Sequence, residues 1–242
     1  MANKLLTYAK KDSIPHQTVV ISDSKSMNRI AKIRSVYPDL KILTSELDIE
    51  GKEQYYIEFE SVQKALSPGR TLVFLETNNE SFASNVTSML NGLNGLTLEL
   101  QKAENEAEEE VEIEVERELI LMTTNHSKAF KGSHISNSDL SNLNFQFPSV
   151  YNYNEGLSDF GKNYKSRYGN YPSRYATRGF DLALDLLLRL AAFESCYMEL
   201  TNTQTKYLEN KFKYGQPQSG GFVNQSAYIL KYQDLFVIKM ED

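Results

Sequence analysis

Tryptophan is missing from this chain of 242 residues, cysteine occurs once and histidine three times. The lone Cys196 excludes an internal disulfide and any site built from several thiolates. Placed near the end of an apolar helical stretch, it reads as a small core residue and not as a nucleophile. His16, His126 and His134 show no metal-ligand spacing such as a pair one helical turn apart. His126 and His134 stand near Ser127, Ser133 and Asp139, yet no serine has the G-x-S-x-G context that exposes a nucleophile. Both are read as surface histidines. No Walker-type phosphate loop is present and no G-x-G-x-x-G follows the first strand, so no cofactor is expected. The Ser219-Gly220-Gly221 turn precedes a hairpin and not a helix.

Basic excess is also missing. Lysine and arginine number 26 against 32 acids, a net charge of −6, which argues against a nucleic-acid partner because phosphate affinity needs a basic face. No apolar run approaches the roughly 20 residues that span a bilayer. Met1 to Lys11 has no apolar core followed by a small-residue cleavage site, so no signal peptide is read there. The chain is expected to be either cytosolic or a segment of a longer secreted protein.

What is present alternates. Thr18-Val-Val-Ile-Ser22, residues 40–43, Thr71-Leu-Val-Phe-Leu75 and Leu119-Ile-Leu-Met122 read as strands, most of them short apolar runs suited to burial in a parallel sheet. Helices are expected over 25–36, 58–66 and 81–93. The first would have Ser24 or Ser26 as its cap and Met27, Ile30, Ala31 and Ile33 on its inner side. Strand, polar turn, helix and strand in succession predict a doubly wound parallel α/β sheet with right-handed crossovers.

Residues 102–118 interrupt this pattern with nine glutamates against one lysine and one arginine. Their first part reads as a solvated helix or mobile loop, and Val111-Glu-Ile-Glu-Val115 as an edge-strand extension. A calcium loop would need a glycine at a defined place among the oxygens, and none is there.

The stretch 137–149 is Asn- and Ser-rich and reads as loop, followed by a crossing strand at Phe147-Pro-Ser-Val-Tyr151. A helix from about 155 to 168 should end on Gly169, a left-handed cap, and the most apolar helix covers 175–193. Arg178, Asp181, Asp185 and Arg189 share one stripe of that helix. Each acid has an arginine within about a turn, so the stripe reads as a polar seam on a mostly buried helix, not as a catalytic pair. Residues 207–212 read as a short helix, and 226–232 with 235–240 as a C-terminal hairpin.

In open parallel sheets ligands bind beyond the carboxyl ends of the strands, where helix N-termini offer free N–H groups. Three such ends supply the candidate site: Ser22, Asp23 and Ser24, then Glu76, Thr77 and Asn78, then Thr124 and Asn125. All are short and polar, suited to a small polar ligand or an amine. The same composition also serves simple capping of strand-to-helix turns.

From Phe160 to Ala192 the pattern Phe160-x3-Tyr164-x3-Tyr168-Gly169, then Pro172-x2-Tyr175-Ala176-x2-Gly179-Phe180-Asp181, resembles type I periplasmic binding proteins of the branched-chain amino-acid receptor type. Arg178-Gly-Phe-Asp181, Gly220-Gly221-Phe222-x-Asn224 and Tyr228-Ile-Leu-Lys-Tyr232 look like the branch in which this domain follows peptidoglycan-binding lysin motifs. The resemblance implies two doubly wound lobes clamping a ligand such as an amino acid, peptide or muropeptide. It implies no enzyme activity and a place in the periplasm or cell envelope. Residues 1–150 would be the second lobe, 151–215 helices related to the first lobe, and 216–242 a hairpin returning to the 1–150 lobe. Most of the first-lobe sheet is then expected to be missing. The apolar face of 182–193 should accordingly pack on the second lobe or on another chain, with a homodimer through the 155–193 helices as the expectation. A scaffolding domain that kept the fold without a ligand is the other reading.

Overall fold

The computed structural model describes residues 1–11, 13–104, 109–152, 158–192, 203–216 and 220–240. Two compact units emerge: Ala2–Pro148 together with Ile229–Met240, and Ser149–Tyr228.

The larger unit is built on strands β1 (Gln17–Ser22), β2 (Lys41–Thr44) and β3 (Arg70–Glu76), interleaved with helices α1 (Ala2–Lys10), α2 (Met27–Arg34) and α3 (Phe59–Ala65). After α4 (Glu80–Leu93) and the antiparallel pair β4 (Thr97–Glu104) and β5 (Glu109–Glu116) come β6 (Glu118–Met122), α5 (Asn137–Asn142) and β7 (Gln146–Ser149). The smaller unit holds α6 (Asp159–Tyr168), α7 (Arg174–Ala192) and the two-residue strands β8 (Thr205–Lys206), β9 (Lys211–Phe212), β10 (Tyr214–Gly215) and β11 (Val223–Asn224). The hairpin of β12 (Tyr228–Gln233) and β13 (Phe236–Lys239) closes the main sheet.

That sheet runs β13-β12-β7-β6-β3-β1-β2, with β2, β1, β3, β6 and β7 all parallel. The fold is the doubly wound α/β sheet with extra helices and a C-terminal hairpin that the alternating apolar runs demand. Val19, Val20, Ile21, Leu72, Val73, Phe74 and Leu75 are all fully buried, because helices cover both faces. Leu5, Leu6 and Ala9 of α1 and Ile30 and Ile33 of α2 pack on one face against Val20, Leu72, Phe74, Ile120 and Met122. Each such leucine stabilises the unit by about 2 kcal/mol.

Several expectations are corrected. A 3-10 turn over Ser24–Ser26 precedes α2, neither serine caps the helix with its side chain, and Met27 and Ala31 are exposed. Residues 102–104 lie in β4, not in a helix or loop, and β5 pairs with β4 in a separate two-stranded sheet and does not extend the main one. The alternating residues of 111–115 need a strand partner, and the segment before them supplies it. The Asn- and Ser-rich stretch contains α5, capped by Ser136, whose hydroxyl accepts from the Asp139 N–H. Cys196, Ser219 and the expected helix start at 155 lie outside the described residues.

In the smaller unit Gly169 ends α6 in the left-handed region at φ 79°. Helix α7 then reverses the expected order of burial: Thr177, Asp181, Asp185 and Arg189 are its buried residues, while Leu187 is 64% exposed and Leu190 57%. The seam holds for Asp181, Asp185 and Arg189, but Arg178 is exposed and donates to the Tyr151 hydroxyl, and the leucines of the helix face out. Asp181 accepts from the N–H groups of Leu208, Glu209 and Asn210 and from Asn210 Nδ2. Asp185 accepts from Arg189 Nε at 3.0 Å, from Thr205 Oγ1 and from the Tyr207 hydroxyl. Residues 205–212 form the β8–β9 hairpin, where a helix over 207–212 was expected.

Removing the Asp181 carboxylate leaves buried N–H groups without an acceptor. Asp181→Ala is expected to cost about 3 kcal/mol, against less than about 0.5 kcal/mol for the exposed Leu187→Ala. Urea unfolding measures both, and hydrogen exchange should show lost protection at residues 208–210 in Asp181→Ala alone. Equal costs would contradict the reversed helix.

Candidate site at the carboxyl ends of the strands

The chain passes from β1 outward to β2 and then returns to β3 on the other side of β1, so the sheet changes direction between β1 and β3. Ligand crevices of open α/β sheets form at such a switch point. Ser22 and Asp23 close β1 there, and Glu76, Thr77 and Asn78 close β3.

The backbone first draws these ends together: Asp23 N–H donates to Glu76 O at 3.4 Å and Ser45 N–H to Ser22 O at 3.0 Å. Side chains then tie them. Asp23 Oδ2 accepts from Thr77 Oγ1 at 2.5 Å and from the Asn78 N–H at 3.4 Å, and Thr77 Oγ1 accepts from the Asn79 N–H. Asn79 caps α4 by accepting from the Phe82 N–H. Glu76, with no solvent exposure, accepts from the Thr124 N–H at 2.5 Å and lies 3.5 Å from Arg29 Nη1. Arg29 also donates to Asn78 Oδ1 at 3.1 Å.

Ser22, Asp23, Glu76, Thr77 and Thr124 are thus buried, mostly engaged with one another and with their neighbours, whereas Ser24 and Asn78 are exposed and Asn125 is half-buried. Asn125 bonds only to its own turn, through Thr123 and Ser127, and reaches none of the other seven among the described residues. Two buried acceptors in this cluster lack a hydrogen-bond donor: Asp23 Oδ1, and Glu76 Oε2, which has only the ion-pair contact with Arg29 Nη1 at 3.5 Å.

Sequence reasoning missed Arg29, Glu53 and Tyr55. The strap over 45–57 brings Glu53 onto the Ser24 N–H at 2.9 Å and the Ser45 hydroxyl, and Tyr55 onto Lys25 Nζ at 2.9 Å. Burial pushes the Glu53 carboxyl up, but the bonds from Ser24 and Ser45 outweigh it and hold it below its ordinary value. Nothing in the spacing of Glu53 announces this, since the contact depends on how the strap folds back.

Of the two histidines expected at the surface, His126 is packed against Phe147 at 3.7 Å between ring centroids, with Phe130 and Phe145 nearby. Burial, with the Lys131 charge, pushes its imidazole down to about 3, so it is neutral at ordinary pH. Among the described residues no three of His, Cys, Asp and Glu gather as a metal site. The arrangement suits hydrogen bonding to a small polar group.

Burial holds the Glu76 carboxyl above its ordinary value of 4.5, with the Thr124 N–H and Arg29 opposing that shift without reversing it. The folded state therefore binds the proton more tightly than the unfolded one. The stability this contributes is present below pH 4.5 and lost as pH rises through the folded value. Relative to Glu76→Gln, the native chain is expected to lose stability as pH rises from 4.5 toward neutrality. Urea midpoints at matched pH measure the difference, and a difference that stays constant with pH would contradict the assignment.

No family model matches the chain, and no curated protein matches it. Solved structures do. An ABC transporter substrate-binding protein from Desulfitobacterium hafniense superposes with a TM-score of 0.51 at 13% identity, over 99% of this chain and 64% of that one. An extracellular ligand-binding receptor from Rhodopseudomonas palustris HaA2 gives 0.47 at 14% identity, over 99% and 67% of the two chains. A branched-chain amino acid transporter substrate-binding protein from Streptococcus pneumoniae, determined with isoleucine, gives 0.43 at 13% identity, over 93% and 60%. The chain therefore spans less than two thirds of the length of the first of these. No helix among the described residues is long and apolar enough to cross a membrane. What the chain shares with the first of these structures is its mostly parallel α/β fold.

Proposed function

We propose that the chain is a non-catalytic binding module that takes a small polar ligand at the switch point between β1 and β3. The observation that carries this reading is Asp23 Oδ1, a buried carboxylate oxygen without a donor at the place where such sheets bind. A buried acceptor left unmade costs about 1–3 kcal/mol, and a ligand ammonium or hydroxyl would recover it. Exposed Ser24 and Asn78 flank it and Asn125 offers a further amide, while Ser22, Glu76, Thr77 and Thr124 hold the strand ends in place. The ligand class is an amino acid, a short peptide or a muropeptide. The segments 160–192 and 220–232 support a place in the periplasm or cell envelope and a lysin-motif context. On this reading 1–150 is the second lobe of the binding fold and 151–215 belongs with the first.

Thermal shift against amino acids, short peptides and muropeptides tests the reading. Saturation near 100 Kd contributes about 2.7 kcal/mol, worth roughly 5–10 °C for a chain of this size. Asp23→Asn keeps the shape and an acceptor for Thr77, and should weaken binding about tenfold. A flat response across the panel would favour the scaffolding reading.

The outward leucines of α7 support a second proposal, a homodimer through the helices of 155–193. A single stripe of leucines is self-complementary across a twofold axis, and burying it removes apolar surface that water disfavours. Light scattering at rising concentration should approach twice the 27.7 kDa of one chain, and Leu187→Glu with Leu190→Glu should restore the monomer. A monomeric mass at high protein concentration would overturn it.

A further inference from the structure

A cavity of about 400 Å³ lies along one face of β6, away from the Asp23 cluster. Its floor is the alternating residues Glu118, Ile120 and Met122, which share a face because a strand turns successive side chains to opposite sides. The end of α1 forms one wall with Tyr8 and Lys11, and Lys231 of β12 and Met240 form another. The volume falls in the roughly 300–1,000 Å³ range of small-molecule sites.

Three observations define what would fit. First, the charge is unbalanced among the described residues: Lys11, Arg70 and Lys231 line the cavity against Glu118. Glu118 is taken by Arg70, 3.6 Å away, and among the described residues neither Lys11 nor Lys231 has an ion-pair partner. Second, Gln146 also lines the cavity, is 7% exposed, and its Oε1 has no hydrogen-bond partner. Third, Ile120 and Met122 supply an apolar base, both less than 5% exposed.

We infer that this cavity is a second binding site, for a small organic carboxylate that carries an apolar body and one N–H or O–H donor. The carboxylate meets the ammonium groups of Lys11 and Lys231, the apolar body covers Ile120 and Met122, and the donor serves the Gln146 amide. Charge-assisted hydrogen bonds of this kind are the strong ones, and the apolar floor excludes the water that would compete with them. The site is independent of the ligand proposed for Asp23, since no residue is shared.

The six methionines make the test direct. The whole chain, labelled with ¹³C at the methionine methyls, is titrated with N-acetyl-L-leucine and, separately, with its uncharged amide. The Met122 and Met240 methyls should shift saturably with the acid, with Met27 and Met89 unmoved, and the amide should bind about tenfold more weakly. Lys11→Gln with Lys231→Gln should weaken the acid by a similar factor while leaving the Met27 and Met89 signals in place, and Lys231→Gln alone should give an intermediate loss. Absence of a saturable shift up to about 10 mM, equal affinity for acid and amide, or undiminished affinity in both lysine variants would overturn the inference.

Discussion

Glu76 ends β3 as a fully buried carboxylate, and much of the larger unit is arranged around satisfying it. A buried charge without partners costs far more than one hydrogen bond returns. The answer comes from three elements at once: the Thr124 N–H beyond β6, the Arg29 guanidinium on α2, and, through Arg29, Asn78 at the start of the α4 turn. Any slip of β6 along β3 would strand the carboxylate. The parallel register and the position of α2 are therefore coupled to one side chain. The Asp23–Thr77 bond adds the end of β1 to the same tie. A polar network shared by three strand ends is rigid, and rigidity is what a small-ligand site needs if affinity is not to be lost in ordering it.

The smaller unit follows the same logic with helix α7. Its charges lie inward because Asp181 and Asp185 gather the N–H and O–H groups of the 205–210 segment, and its leucines are left outward. A carboxylate meeting several backbone N–H groups can fix a loop that has little apolar content of its own. The hydrophobic stripe is then free to take part in something other than the fold of this unit.

The larger unit also separates two environments on one sheet. Beyond the carboxyl ends of the strands the acids Asp23, Glu53 and Glu76 set the charge. Along the face of β6 lysines predominate, over an apolar floor.

Much of the architecture was legible because its signals are local. Runs such as Thr18-Val-Val-Ile-Ser22 bury on both faces, Gly169 accepts the left-handed conformation, and the paired apolar runs near the C-terminus make a hairpin. That polar residues would follow the ends of β1, β3 and β6 was legible for the same reason, since turn chemistry follows strand chemistry along the chain. The contacts that give those residues their roles were not. Arg29 meets Glu76, Glu53 meets Ser24, and Asp181 meets residues 208–210 only after elements distant in sequence have packed. By itself, then, the sequence determined the buried strands of the main sheet and the helices α2, α3 and α4 between them, though not β4, α5 or the β8–β9 hairpin, because periodicity and turn preference act over a few residues. Which carboxylates are buried, which face of α7 looks outward and where a cavity opens were decided only by tertiary structure, because burial and hydrogen-bond satisfaction are settled between segments and not within them.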